Sequence, residues 1–316
     1  MKRIDIKIHY FCNNNCVFCV QEDNKKRYLL KGLSLGEIRK KLEEGKFRGV
    51  EEVIFTGGEI SLRPKVLLSA IKHAKKIGYK SIFLLTNGRM YSYLSNAEAV
   101  VNSGVTRATI SIHGSSPQKH DLLTRAEGSF KQAIKGIENF KKQKIEVAIN
   151  CVINKKNICD LKNISKIAAQ MDAEQVQFAF IHMSHAILTD EKRIQDLVPK
   201  KTQVIPYLLE ALDIAERLGV EAKTEGIPVC LLKKNIRNIG DSVVRLPETS
   251  VFEYQNDVVD FKNVLLSEGR AKRMLCRECE YFNFCAGPWA EYPYVFGWEE
   301  FIPINNESFQ KENKNG

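Results

Sequence analysis

The sequence predicts an α/β protein built on an open parallel sheet, and three observations carry that reading. Short apolar runs alternate with helical patterns, the mark of parallel strands joined by crossover helices. The alternation repeats six times, too few units to close an eight-fold barrel. In the later runs polar and apolar residues alternate with period two, so each strand has one polar face.

The first strand is expected over 3–10, in IDIKIHYFC, with a helix near 34–47 after it. The next two strands fall at 51–56, running into VIFTGGE, and at 80–86, closing on Thr86-Asn87-Gly88; helices follow near 64–77 and 94–103. In strand 106–112 the run TISIHG sets Thr109, Ser111 and His113 on one face and Ile110 and Ile112 on the other. A helix near 129–143 leads to strand 145–153, where Ala148, Asn150 and Val152 oppose Val147, Ile149 and Cys151. After a helix near 159–171, strand 175–181 sets Gln175 and Gln177 against Val176, Phe178 and Phe180. The apolar faces are expected against helices and the polar faces around a lumen, since a polar face turned into a dry core is costly.

Beyond residue 190 the repeat is expected to stop. An amphipathic helix at about 202–218 leads into TEGIPVC, and CAGPWAEYPYVFGWEEFIP, rich in aromatics, Gly and Pro, suggests a compact cap with little regular structure. The expected division is a core over 1–200, a small irregular domain over 201–304 and a polar disordered tail over 305–316.

The 316 residues suffice for one large domain and an appendage. No apolar run reaches the about eighteen to twenty residues a spanning helix needs, and MKRIDIKIHYFC has no signal-peptide core, so a cytoplasmic protein is expected. The nine cysteines fall mostly in metal-type clusters, which points to a reducing compartment and not to disulfides. The net charge of +10 is spread over helices; short basic clusters such as KHAKK lack the interleaved aromatics of a single-strand binding surface.

Chemistry concentrates in CNNNCVFC. Cys12, Cys16 and Cys19 are soft ligands on one short loop, suited to zinc or to iron–sulfur iron. A structural zinc wants four protein ligands, whereas a four-iron cluster held by three cysteines leaves one iron open to a small molecule. A second group, Cys276, Cys279 and Cys285, stands in CRECEYFNFC, and Cys230 in the IPVC segment is the natural candidate for a fourth ligand. Four cysteines also suit a closed zinc centre. Cys151 and Cys159 read as packing residues. His182 and His185, just past the sixth strand, are candidates for substrate contact or proton transfer, against the plainer reading of exposed loop histidines.

The CxxxCxxC loop after a first strand, together with Gly57-Gly58-Glu59, resembles the radical S-adenosylmethionine (SAM) superfamily over about residues 1–190. The resemblance implies an open, partial (β/α)6 barrel and a [4Fe–4S] cluster on Cys12, Cys16 and Cys19. Its fourth iron would be chelated by SAM, with the methionyl amine received by Gly57, Gly58 and Glu59. Carried over likewise are Ser111, His113 and Asn150 near the ribose, Asn87 at the barrel mouth, Phe18 near adenine and Arg125 towards the SAM carboxylate. The C-terminal cysteines resemble SPASM and twitch auxiliary-cluster domains, but Trp289 stands where a full SPASM motif has a further cysteine, so a single auxiliary [4Fe–4S] cluster is the simpler count.

The implied reaction is reductive cleavage of SAM to a 5′-deoxyadenosyl radical that abstracts hydrogen from a peptide or small molecule, leading to oxidation, crosslinking or epimerisation. It needs a one-electron reductant such as flavodoxin or ferredoxin. An RNA-modifying enzyme, motivated by the basic balance, and a non-catalytic iron–sulfur electron carrier are the alternatives. The second leaves the GGE segment and the polar strand faces without a purpose.

Overall fold

The computed structural model describes residues 2–28 and 30–305. Strands β1 (Lys2–Lys7), β2 (Glu52–Thr56), β3 (Ser81–Thr86), β4 (Arg107–Ser111), β5 (Glu146–Ile153) and β6 (Gln175–Phe180) run parallel in chain order, as the six apolar runs predict. The sheet then goes further than expected. A seventh strand, β7 (Glu221–Glu225), pairs parallel with β6 after the helix Lys201–Arg217, and β8 (Glu248–Glu253) pairs parallel with β1 at the opposite side. A short antiparallel strand, β9 (Asn256–Val258), completes an open sheet ordered β7-β6-β5-β4-β3-β2-β1-β8-β9.

The expectation that the repeat stops near residue 190 is therefore corrected. β7 reads EAKTE, with Glu221, Lys223 and Glu225 on one face and only Ala222 and Thr224 on the other, so it offers no apolar run. The polar tail expected at 305–316 lies, apart from Asn305, outside the described residues.

Register confirms the two-faced strands. Thr109, Ala148, Gln175 and Glu221 lie abreast across four strands, and one step on come Ser111, Asn150, Gln177 and Lys223. This face is half-open. The alternate residues Ile110, Val147, Ile149, Cys151, Val176 and Phe178 are fully buried, where helices cover them. Lys7 pairs with Glu253 at 2.6 Å, Arg107 donates to Gln175 at 3.3 Å and Thr56 donates to Asp5, so polar groups of neighbouring strands satisfy one another.

The covering helices follow from local chemistry. Ser34 and Glu37 form a reciprocal capping box that starts Leu35–Phe47, whose Ile38, Leu42 and Gly45 face the core at helical spacing. Ser129–Lys142 buries Ala133, Ile137 and Phe140 on one face, and its buried Asn139 ties back to the carbonyls of Tyr91 and Ser92. Among the described residues no helix is long and apolar enough to cross a membrane.

Candidate active site

The cysteine loop is fixed from both sides by backbone. After β2 the chain runs so close to the segment before Cys12 that Gly58 N–H donates to the His9 carbonyl at 2.6 Å and Glu59 N–H to that of Phe11 at 2.9 Å. A Cβ on Gly57, whose φ is +127°, would lie 2.2 Å from the His9 oxygen, and one on Gly58 would lie 2.1 Å from that of Phe11. The backbone these glycines admit is thus the chain's own, placed just ahead of the first cysteine. On the other side Asn15 and Val17 donate to the carbonyls of Thr124 and Leu123 at 2.8 and 3.0 Å, tying the loop to the helix Pro117–Thr124.

The three thiols share one neighbourhood. Burial pushes Cys12 up to about 11 and Cys16 up to about 12, and the charges Cys19 and Cys12 would carry raise Cys16 further. Cys19 is also raised, mainly by burial. Cys12 Sγ accepts from Asn14 N–H at 3.3 Å and from Asn87 Nδ2 at 3.6 Å. Three thiols gathered beside the Asn14 N–H, Asn87 Nδ2 and Lys25 suit the chemistry of a soft-metal ligand set.

Glu59 is tightly held just beyond β2. It is 0 % exposed, and its carboxylate accepts from Ser61 N–H (3.1 Å), Ser61 Oγ (2.5 Å), Thr86 Oγ1 (2.7 Å) and Asn87 N–H (2.8 Å). Fully engaged by neutral donors, it locks the ends of β2 and β3 together. Asn87 then reaches Asn13 Oδ1 at 2.7 Å as well as Cys12.

Ser111, which ends β4, and Asn150, within β5, stand abreast and half-buried on the lumen face. His113 is buried and committed: Nδ1 accepts from Val152 N–H at 3.2 Å, the ring meets Phe18 edge-on at 4.7 Å, and His120 stacks behind it. Burial, then the charge His120 would carry, holds it well below the usual histidine range, so it is neutral and joins β4 to β5. Phe18, also buried, forms the wall against it. Arg125 is exposed at φ 50°; with Cys16, Lys25, Lys26 and Arg193 it lines a groove of about 880 Å³.

Two further histidines give a pH prediction. Burial holds His120 down to about 4, with Asp121 opposing and Arg89 assisting; burial and then Arg63 hold His9 down to about 4. Both are about 1 % exposed. Below the unfolded value of about 6.5 only the unfolded chain binds these protons, so stability falls as pH drops from there towards 4. At pH 5 each should cost about 2 kcal/mol relative to pH 7. Urea unfolding at both pH values measures it, and equal midpoints would contradict the buried neutral rings.

At the C-terminal site Cys230, Cys276, Cys279 and Cys285 line one void of about 420 Å³, with Phe282, Trp298 and Phe301 among its apolar walls. Burial, followed by the other three cysteines, raises the Cys230 thiol to about 12. Cys285 Sγ accepts from Gly287 N–H at 3.3 Å and Cys279 Sγ from Ile304 N–H at 3.4 Å. Among the described residues no three His, Cys, Asp or Glu side chains close tightly enough to hold a single ion. Trp289 is buried, donates Nε1–H to the Phe180 carbonyl at 3.2 Å and lies between the Arg270 guanidinium (3.5 Å) and the His182 ring (4.7 Å).

Residues that the sequence did not single out hold these parts together. Arg193 donates to the Val17 carbonyl at 2.9 Å and to Glu22 at 2.8 Å, joining the cysteine loop to the segment after β6. Arg270 and Asp241 form a buried ion pair beneath Trp289. Glu225, on β7, accepts from Gln177 Nε2 at 2.6 Å. None belongs to a local motif.

A family model described as "Radical SAM superfamily" matches residues 6–168. Similar curated proteins include a probable GTP 3',8-cyclase of Sulfurisphaera tokodaii, 30% identical over 178 residues (56% of this chain, 55% of the relative). An AdoMet-dependent heme synthase of Oleidesulfovibrio alaskensis is 31% identical over 162 residues (51% of this chain, 41% of the relative). The chain thus spans about half the length of the curated relatives it matches. Among solved structures, Streptococcus suis SuiB bound to precursor peptide SuiA superposes with TM-score 0.68 at 15% identity, covering 96% of this chain and 74% of that one. Native anSMEcpe with bound AdoMet gives TM-score 0.65 at 17% identity, covering 99% and 95%. At such identities the likeness is one of fold.

Proposed function

Because the chain belongs to the radical SAM superfamily, we propose that it reductively cleaves SAM at a [4Fe–4S] cluster held by Cys12, Cys16 and Cys19 and takes hydrogen from a peptide or small molecule. The observation that carries this is the meeting of the cysteine loop with the Gly57-Gly58 backbone at the mouth of a polar lumen. When bound, the cluster and SAM supply one-electron cleavage of the sulfonium to methionine and a 5′-deoxyadenosyl radical. The chain's own part is orientation and exclusion of water. Backbone of the GGE turn would receive the amine, Arg125 in the groove beside Cys16 would suit the carboxylate, and Ser111 and Asn150 would offer hydrogen bonds to a ribose. Phe18 and His113 form a wall suited to an adenine, and Asn87 orients the Cys12 turn.

We assign Cys230, Cys276, Cys279 and Cys285 to a second [4Fe–4S] cluster. Four cysteines lining one pocket suit a fully ligated cluster and also meet zinc's need for four sulfurs, so iron and zinc content separates the two. Residues 1–200 form the core and 201–304 carry this auxiliary site, with β7 and β8 returning to the core sheet. The peptide class is favoured by the fold likeness to SuiB, a protein solved with its precursor peptide, over 96% of this chain and 74% of that one. A flavodoxin- or ferredoxin-type donor and a reducing, cytoplasmic setting complete the reading.

Anaerobic, reconstituted protein should contain about eight iron atoms per chain. With dithionite and SAM it should release 5′-deoxyadenosine, which deuterated candidate substrates should label. About four iron atoms with stoichiometric zinc would remove the second cluster, and absence of deoxyadenosine would leave an electron carrier.

A further inference from the structure

Where β6 ends, the chain places an imidazole that the cofactor chemistry does not employ. His182 Nδ1 lies 2.5 Å from Glu291 Oε1, and the same oxygen accepts from Met183 N–H at 3.0 Å. Glu291 is held below the usual carboxylate range: burial opposes this, and its hydrogen bonds, that to His182 first, outweigh it. In the neutral imidazole a carboxylate on Nδ1 makes that nitrogen the donor and leaves Nε2 with a bare lone pair. The ring cannot swing freely, because it stacks on Trp289 at 10°. It is not sealed in: the side chain is 43 % exposed, while its Glu291 partner is 11 % exposed.

The setting is the lumen mouth. Glu225, abreast of Ala179 on the lumen face and bonded to Gln177, lies close enough to feel His182. The other charged groups packed around the pair are Asp241 and Arg270, bound to each other, and Lys201, whose Nζ donates to the Gly226 carbonyl at 2.8 Å over the Phe180 ring. Each of these has a partner of its own. His182 alone combines a fixed ring, a carboxylate behind it and an outward nitrogen.

Resting on the function proposed above, we infer that His182, held by Glu291 and Trp289, is the proton acceptor for an O–H, N–H or S–H group of the substrate at the barrel mouth. In that step the substrate's X–H bond breaks heterolytically and its electron pair stays on X. The proton forms Nε2–H, Glu291 stabilises the resulting imidazolium, and the proton leaves to water from the exposed ring edge. No oxidant enters the step. The substrate class is thereby narrowed to molecules carrying such a group next to the carbon that loses hydrogen.

The probe is diethyl pyrocarbonate, which acylates bare imidazole nitrogens, applied to the anaerobic holoenzyme without SAM and read by peptide mass spectrometry. His185, exposed and three residues away, is the internal reference. We expect His182 to be acylated at least tenfold faster than His185, and Glu291→Gln to abolish most of that advantage while leaving the His185 rate unchanged. Gln retains an oxygen for Met183 N–H, and the wild-type ratio is decisive even if that variant folds poorly. Equal rates in the wild type, or an unchanged ratio in Glu291→Gln, would overturn the assignment. Failure of SAM cleavage would instead count against the proposed function, since no turnover enters this readout.

Discussion

Replacing Gly57 by Ala should remove the N-terminal cluster while leaving the C-terminal cysteines able to hold theirs. Two costs coincide at this position. The backbone has φ +127°, which L residues rarely adopt, and the new Cβ would lie 2.2 Å from the His9 carbonyl oxygen, a rigid neighbour. Together they should cost about 3 kcal/mol locally. Relief can come only by moving the 9–11 segment or the GGE turn, and both position Cys12. Iron should therefore fall from about eight to about four atoms per chain, and SAM cleavage by on the order of 100-fold. Gly49→Ala is the control: φ is +76° but nothing lies within 4 Å of the added carbon, so about 1 kcal/mol and full iron are expected. Full iron and normal cleavage in Gly57→Ala would show that the two loops need not touch for the site to assemble.

The same contact shows what a sequence can and cannot disclose. The cysteine spacing and the GGE turn were legible because each is local, and strands β1–β6 because polar and apolar residues alternate within a few positions. What Glu59 does was not legible. Its four hydrogen bonds include Thr86 and Asn87, which only the sheet brings beside it. Nor were the partners of His113 legible: Val152 N–H and the Phe18 ring come from distant parts of the chain, and only His120 is near it in sequence. β7 lacked an apolar run because an edge strand with three charged lumen residues has little to bury. Cys230 was placed by the need for a fourth sulfur and does face the other three, whereas the His182–Glu291 pair spans 109 residues and leaves no local pattern.

Arg270→Met should be the most destabilising single change outside the cysteines. The Arg270 side chain is 1 % exposed and pairs with Asp241, donates to the Gly287 carbonyl at 3.1 Å and covers the Trp289 ring. Asp241 is itself buried and would retain only the Gly226 N–H, at 2.8 Å. Removing one member of such a pair leaves an uncompensated charge, a loss of about 3–5 kcal/mol. Relief of the charge that Arg270 imposes on the buried Lys201 works in the opposite direction, but it ranks below burial among the causes holding that lysine well under its usual range. Asp241→Asn in the Arg270→Met background should restore about 1–3 kcal/mol, because the amide oxygen can still accept from Gly226 while the stranded charge is gone. Urea unfolding of the wild type, the single variant and the double variant measures both numbers. A single-variant loss below about 1 kcal/mol would mean that Asp241 finds water or another cation on Arg270's departure, in the manner of a surface pair. The consequence reaches past stability: Arg270 is the underside of Trp289, Trp289 is the floor beneath His182, and the Gly287 carbonyl it holds is two residues from Cys285. Losing it should therefore loosen the barrel mouth and the second cysteine group together, seen as faster loss of iron from the C-terminal site than from the N-terminal one under chelation.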